Sequence, residues 1–217
     1  MALTTGFQPE VVRVSIDRVK SAYAELIEVL GGKMQTEFVA GMADKWACTD
    51  AVNFFNQAFK PTIDSLIKSS NTTFESVVVS MNSGAYNWAV NTGDESAYQQ
   101  SEFEVISKEI DASIIQNNIG GVIGIDLVSA QTVASKLPLL AEEAKTALVK
   151  TLQAVQDCGF IGGNQASNLI NSLNIIKNNI DKAVQDITSA SKKAIEATIQ
   201  KYSDTEGRIS QAFAGEA

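Results

Sequence analysis

The chain has 217 residues, 45% of them apolar, with 17 basic against 25 acidic side chains and a net charge of -8. That is ample material for a core, which excludes a disordered chain. The negative charge repels phosphate backbones, and the only lysine-rich stretch, KKAIEATIQK at 192 to 201, interleaves apolar residues at helical spacing, so nucleic acid is not an expected partner. Histidine is absent, which removes Ser-His and Cys-His nucleophile pairs and His-ligated zinc, and two cysteines are too few for a thiolate zinc site. No catalytic residue, metal site or cofactor is expected.

The first residues, MALTTGFQPEVVRV, lack the charged start and apolar core of a signal peptide, and no run of eighteen apolar residues occurs. Synthesis as a soluble cytoplasmic protein is therefore expected. From Pro9 the apolar positions Val11, Val14, Ile16, Val19, Tyr23, Leu26, Ile27 and Leu30 step by three and four, predicting a helix that Gly31-Gly32 weakens or kinks before Met34, Phe38 and Met42 carry it to Trp46. Thr49 and Asp50 are good N-cap residues for a second long helix running through Phe55, Phe59, Ile63, Leu66, Phe74, Val77, Met81 and Trp88, kinked near Pro61. The polar stretch NTGDESAYQQS at 91 to 101 reads as a turn, followed by a short helix from Glu102 to about Gln116 that NNIGGVIGID ends. A helical stripe returns from Asp126 to Asp157, with Pro138 as a kink; CGFIGGNQAS is a glycine-rich turn, and a last long helix carries Leu169, Leu173, Ile176, Ile180, Val184, Ile187, Ile195, Ile199 and Tyr202.

Each half thus reads as helix, turn with an aromatic, helix. Sliding the chain on itself by 114 residues without gaps sets Val14 on Val128, Val19 on Val133, Leu26 on Leu140, Trp46 on Phe160, Phe59 on Leu173, Lys68 on Lys182 and Gly93 on Gly207. Phase alone aligns two amphipathic stripes; the turn keeping register with both flanking helices is the stronger sign of an internal duplication. The expected organisation is hairpin 9-91, connector 92-125 with a short helix, hairpin 126-207 and a flexible tail 208-217. The chain reads as all-α.

At the turns, Trp46-Ala47-Cys48 lies over Phe160-Ile161-Gly162, so that one copy keeps the aromatic Trp and the other the Gly of a Trp-x-Gly turn. Here the chain resembles the small WXG proteins exported by type VII (ESX-type) secretion systems, helical hairpins that pair into four-helix bundles. It looks like two of them in one chain, which implies two long hairpins packed as an elongated four-helix bundle, a monomeric pseudo-dimer. The family's second signature, Tyr-x-x-x-Asp/Glu after the second helix, is met by Tyr202 and Glu206, and in the connector by Tyr98 and Glu102. The resemblance implies that Tyr202 and Glu206 form part of an export signal, that partners are proteins such as a secretion ATPase or a co-secreted protein, and that the chain is secreted or cell-surface. Neither turn holds an intact Trp-x-Gly.

Three functions fit these readings: a non-enzymatic protein exported by, or serving as adaptor in, a type VII system; a membrane-active protein resembling pore-forming toxins, with SIIQNNIGGVIGIDLV at 113 to 128 as a buried tongue; and a phage or other assembly component. Bundled antiparallel, the hairpins would put the two turns at opposite ends, leaving Cys48 and Cys158 as free thiols.

Overall fold

The computed structural model describes residues 6 to 161 and 165 to 215. Strand β1 (Gly6–Phe7) leads into α1 (Pro9–Ile27), which continues as a π-helix (Glu28–Val39) and a last α-turn, α2 (Ala40–Met42). After β2 (Trp46–Ala47) the chain returns through α3 (Thr49–Phe54), a second π-helical turn (Phe55–Phe59) and α4 (Lys60–Asn91). A 3₁₀ turn (Glu95–Ala97) precedes β3 (Gly124–Ile125), then α5 (Leu127–Ala134), α6 (Lys136–Gln156), β4 (Phe160–Ile161) and α7 (Gln165–Gly215). The chain is mostly helical, and α7 runs through the segment expected as a flexible tail.

Pro9 opens α1, where its missing N–H costs nothing. The buried face of α1 is Val12, Ile16, Val19, Tyr23 and Leu26, while Val11 and Val14 are exposed, so the stripe begins one residue later than the sequence suggests. Gly31-Gly32 does not break the helix: both glycines lie inside the π-helical stretch, whose wider turns pack more residues into the same length. Pro61 has a similar effect. Unable to donate to the preceding turn, it directly follows the π-helical turn Phe55–Phe59, and the Thr62 hydroxyl donates to the Ala58 carbonyl at 2.7 Å. VVVSM at 77 to 81 is helical, with Val77, Val78 and Met81 in the core. Pro138 follows the break between α5 and α6.

Helix α1 packs on α4 and α6, and α7 packs on α6 and α4. Two short antiparallel ladders close the ends. Gly6 pairs with Ile161 and Phe7 with Phe160; Trp46 pairs with Ile125 and Ala47 with Gly124. Each ladder is extended by one bond from a helix N-cap, Gln8 N–H to the Gly159 carbonyl at 2.9 Å and Asp126 N–H to the Lys45 carbonyl at 2.7 Å. The two turns are therefore at opposite ends, each tied to the residues that lead into the other hairpin. Equivalent points are offset by 118 residues before the helix (Gln8, Asp126) and by 114 at the turn (Lys45, Gly159), so the gap-free register fails at the helix start. Over that span the first hairpin is four residues longer than the second, and it contains the π-helical stretch Glu28–Val39.

The largest departure is the connector. No helix forms between residues 98 and 123; the chain lies extended as a strap along the groove between α1 and α4. Phe103, Ile106, Ile110 and Ile114 have helical spacing, but the residues turned inward from 106 to 112 are Ile106, Lys108, Ile110 and Ala112, a period of two. The strap has no sheet partner, and helix side chains take that role. Asn82 donates to the Ser101 carbonyl at 2.7 Å and accepts Ser101 N–H at 3.0 Å. Tyr23 accepts Ile106 N–H at 2.8 Å and donates to Asn71, whose amide donates to the Ile106 carbonyl at 3.4 Å. Asp64 accepts Ile110 N–H at 2.9 Å while Lys60 donates to the Ile110 carbonyl at 2.7 Å. Gln35 holds both main-chain groups of Asp111, at 2.9 and 3.1 Å. The spacing closes: from Ser101 to Ile106 is about 16 Å at about 3.3 Å per extended residue, and from Asn82 to Asn71 is about 16 Å at about 1.5 Å per helical residue. Half as many residues thus cover the same length as a helix would, which is how the connector returns to the opposite end.

Two substitutions test the strap. Asn82→Ala leaves the Ser101 main chain and the Tyr98 hydroxyl without partners and is expected to cost about 2 kcal/mol in urea unfolding, with new protease cleavage between 98 and 115. A Cβ at Gly31 would lie 2.6 Å from Lys108 Cβ, whereas one at Gly32 meets only the movable carboxylate of Glu28. Gly31→Ala should therefore destabilise by about 1 kcal/mol, overpacking outweighing the gain in helix propensity, while Gly32→Ala should stabilise.

Candidate functional site

The sequence directs attention to the two turns and to Tyr202. The indole of Trp46 is completely buried, tilted against Phe54 at 5.9 Å and edge-on to Phe55 at 6.4 Å. It fills the wedge where the first hairpin diverges, as its place between two helices suggests. Its N–H is satisfied from the other hairpin, donating to the Thr198 hydroxyl at 3.3 Å. That hydroxyl also bonds the Ala194 carbonyl at 2.9 Å, and Cys48 Sγ lies 3.8 Å from it. Cys48 has φ -165° and ψ 172°, extended backbone that any residue adopts, so this turn has no need of glycine there. Cys48 is also the N-cap of α3; Thr49 and Asp50, expected as caps, form its first turn, where the carboxylate suits the positive helix end.

Asp50 reaches across to α7, taking both Lys201 contacts at 2.7 and 2.8 Å. Hydrogen bonding to Asp50 raises the Lys201 ammonium above its ordinary range. Cys48, Asp50, Ile123, Lys201, Tyr202 and Thr205 line a pocket of about 230 Å³ at this end. Burial foremost, with the nearby Asp50 carboxylate adding to it, pushes the Tyr202 phenol up. Tyr202 thus stands beside the Trp46 turn, brought there from 156 residues away (202 minus 46) by the antiparallel arrangement. The side chain of Glu206 lies outside the described residues.

The second turn is built differently. Phe160 is half-buried over Gly84, where an added Cβ would stand 3.1 Å from its ring. Gly162 lies outside the described residues. The glycine this turn demands is Gly159, at φ +76° and with Val11 Cβ 2.8 Å from where its own Cβ would be. Tyr98 and Glu102 form no helical patch, because the strap is extended there: Tyr98 is buried with its hydroxyl on Asn82 at 3.0 Å, and Glu102 is exposed with its carbonyl held by Lys20. Segment 113 to 128 is not a buried tongue, since Ile119, Val122, Ile123 and Val128 are exposed around a Gly120-Gly121 tip. Glu142 and Glu143 are exposed and tied to Lys145 and Lys33.

Among the described residues no three His, Cys, Asp or Glu side chains cluster as metal ligands, and no helix is long and apolar enough to cross a membrane. Thr198, a polar position in the α7 stripe, and the strap clamps Tyr23, Asn71, Asn82, Asp64, Lys60 and Gln35 are not marked by any motif in the sequence. Asn82 beside Met81 in an otherwise apolar face was the available signal. Comparison with protein-family models, curated proteins and solved structures returns no match.

Cys48 and Cys158 are both buried and unpaired, at opposite ends, and burial raises the Cys158 thiol. Both should stay inert to a thiol-specific dye at neutral pH in the native protein and react together on unfolding; a Cys48-Cys158 disulfide in the air-oxidised protein would contradict this arrangement.

Proposed function

We propose that the chain is a non-enzymatic pseudo-dimer of two WXG-type hairpins, a duplication closed as an antiparallel four-helix bundle, and that a type VII secretion system handles it as an exported protein or adaptor. The observation that carries this reading is the meeting of Cys48 and Asp50, from the turn and following helix of one hairpin, with Lys201 and Tyr202, from the last helix of the other, around one pocket, together with the bond from the buried Trp46 indole to Thr198 of that same helix. The matching ladders at the two ends support the duplication. Recognition is by a protein: the pocket is flanked by the apolar tip of Ile119, Val122 and Ile123, a surface that suits docking without chemistry. In a host with an active type VII system, Tyr202→Ala and removal of residues 202 to 217 should each lower export at least tenfold, with circular dichroism and Tm near those of the parent. Undiminished export would overturn the reading.

The same exposed tip favours a second reading, that of a membrane-active protein. Dye release from anionic liposomes that Val122→Asp abolishes would support it over the first.

A further inference from the structure

The two hairpins differ in one respect that the ladders do not share: the groove of the first is filled and that of the second is open. Between α1 and α4 the strap covers a row of α4 that comprises Ile67, Phe74, Val78 and Asn82, all buried. The offset of 114 residues places Asp181, Thr188, Lys192 and Glu196 on the same row of α7, and none of these is buried. The two amides that clamp the strap from α4, Asn71 and Asn82, fall at Gln185 and Glu196, again hydrogen-bonding side chains eleven residues apart. Both line the α6/α7 groove.

That groove contains a pocket of about 260 Å³ floored by Ala134, Leu137, Pro138 and Ile195 and edged by Thr188 and Ser191. Ser191 is 1% exposed, yet its hydroxyl has no partner, and the Thr188 hydroxyl is likewise buried and unbonded. A helical serine or threonine ordinarily returns its proton to a carbonyl of the preceding turn, as Thr198 does, so two unbonded hydroxyls on one wall are a real deficit. Ala134 and Pro138, on either side of the break between α5 and α6, add apolar surface to the same pocket. An apolar floor with two unbonded hydroxyls is what an extended main chain with one aliphatic side chain would complete.

We propose that the α6/α7 groove binds an extended segment of a partner protein, laid along α7 as the strap is laid along α4. One Ile, Leu or Val side chain of that segment enters the pocket between Leu137, Pro138 and Ile195. Its main-chain groups bond Ser191, Thr188 and the Gln185 and Glu196 side chains. Main-chain bonding gives tolerance of sequence, and the pocket selects the one anchor. Lys145 and Asp181, paired at 2.6 Å, bridge the groove beyond Gln185 and mark where the segment ends. This inference rests on the likeness of the hairpins and not on export.

The test uses the full chain and a synthetic peptide of residues 102 to 113, which supplies aliphatic anchors on an extended backbone. Amide NMR shifts on titration should move at Ala134, Thr188, Ser191 and Ile195. Ser191→Leu, which fills the pocket and removes a buried unbonded hydroxyl, should leave Tm equal or higher and weaken binding at least tenfold. Gln185→Ala with Glu196→Ala should weaken it about threefold. Binding unchanged in Ser191→Leu, shifts confined to Asn71 and Asn82 through strap displacement, or no binding at millimolar peptide would each overturn the proposal. So would a concentration-dependent dimer abolished by Ser191→Leu, which would assign the groove to a second copy.

Discussion

Everything distinctive in this fold depends on one constraint: an extended main chain that crosses the molecule without a neighbouring strand must still satisfy its N–H and C=O groups. Side chains from two helices meet it at Ser101, Ile106, Ile110 and Asp111, each bonded through both main-chain groups. Because the clamping groups are polar and lie at the margin of the core, the cost of desolvating them is met only with the strap in place. At Tyr23 the hydroxyl donates to Asn71 while accepting from Ile106, and burial holds this phenol above its ordinary range.

The strap also joins the two ends. It leaves α4 near the second turn and arrives at Gly124–Ile125, which pairs with Trp46–Ala47 at the first. A tight link would suffice for hairpins running the same way; a return across the length of the helices is what an opposed arrangement needs. The consequence is chemical as well as topological. Tyr202 and Trp46, distant in sequence, share an end, where Trp46 bonds Thr198 one helical turn before Tyr202, while Cys158 is left at the other end beside Phe160. Surface ion pairs such as Lys145-Asp181 and Lys150-Glu25 decorate the seams, but partial exposure limits each to a small contribution beside the buried aromatic cluster of Phe38, Phe54, Phe55 and Phe59.

Long helices were legible because their apolar period is repeated many times; the stripe of α7 from Leu173 to Ile195 is buried as its spacing requires. The connector was not. Over a dozen residues, Phe103, Ile106, Ile110 and Ile114 satisfy a helical period while Ile106, Ile110 and Ala112 satisfy an extended one, and local pattern does not separate them. The end of the molecule that holds Trp46 was legible as an aromatic turn, but its partner Thr198 was not, since a lone threonine in an apolar stripe carries no address.

The long helices, the turns between them and the absence of histidine chemistry are legible in the sequence, because they follow from a much-repeated local period, from glycine and proline, and from composition. Only the tertiary structure decided that the connector is extended, that the glycine needed at the second turn is Gly159, that Cys48 needs no glycine, and that one helical groove is filled while the other is open. Helix side chains across from the connector hold it extended, Gly159 takes a φ of +76° against Val11, the backbone at Cys48 is extended, and the strap lies along α4 and not along α7; all four follow from how distant parts of the chain meet, which the spacing of neighbours along the chain does not encode.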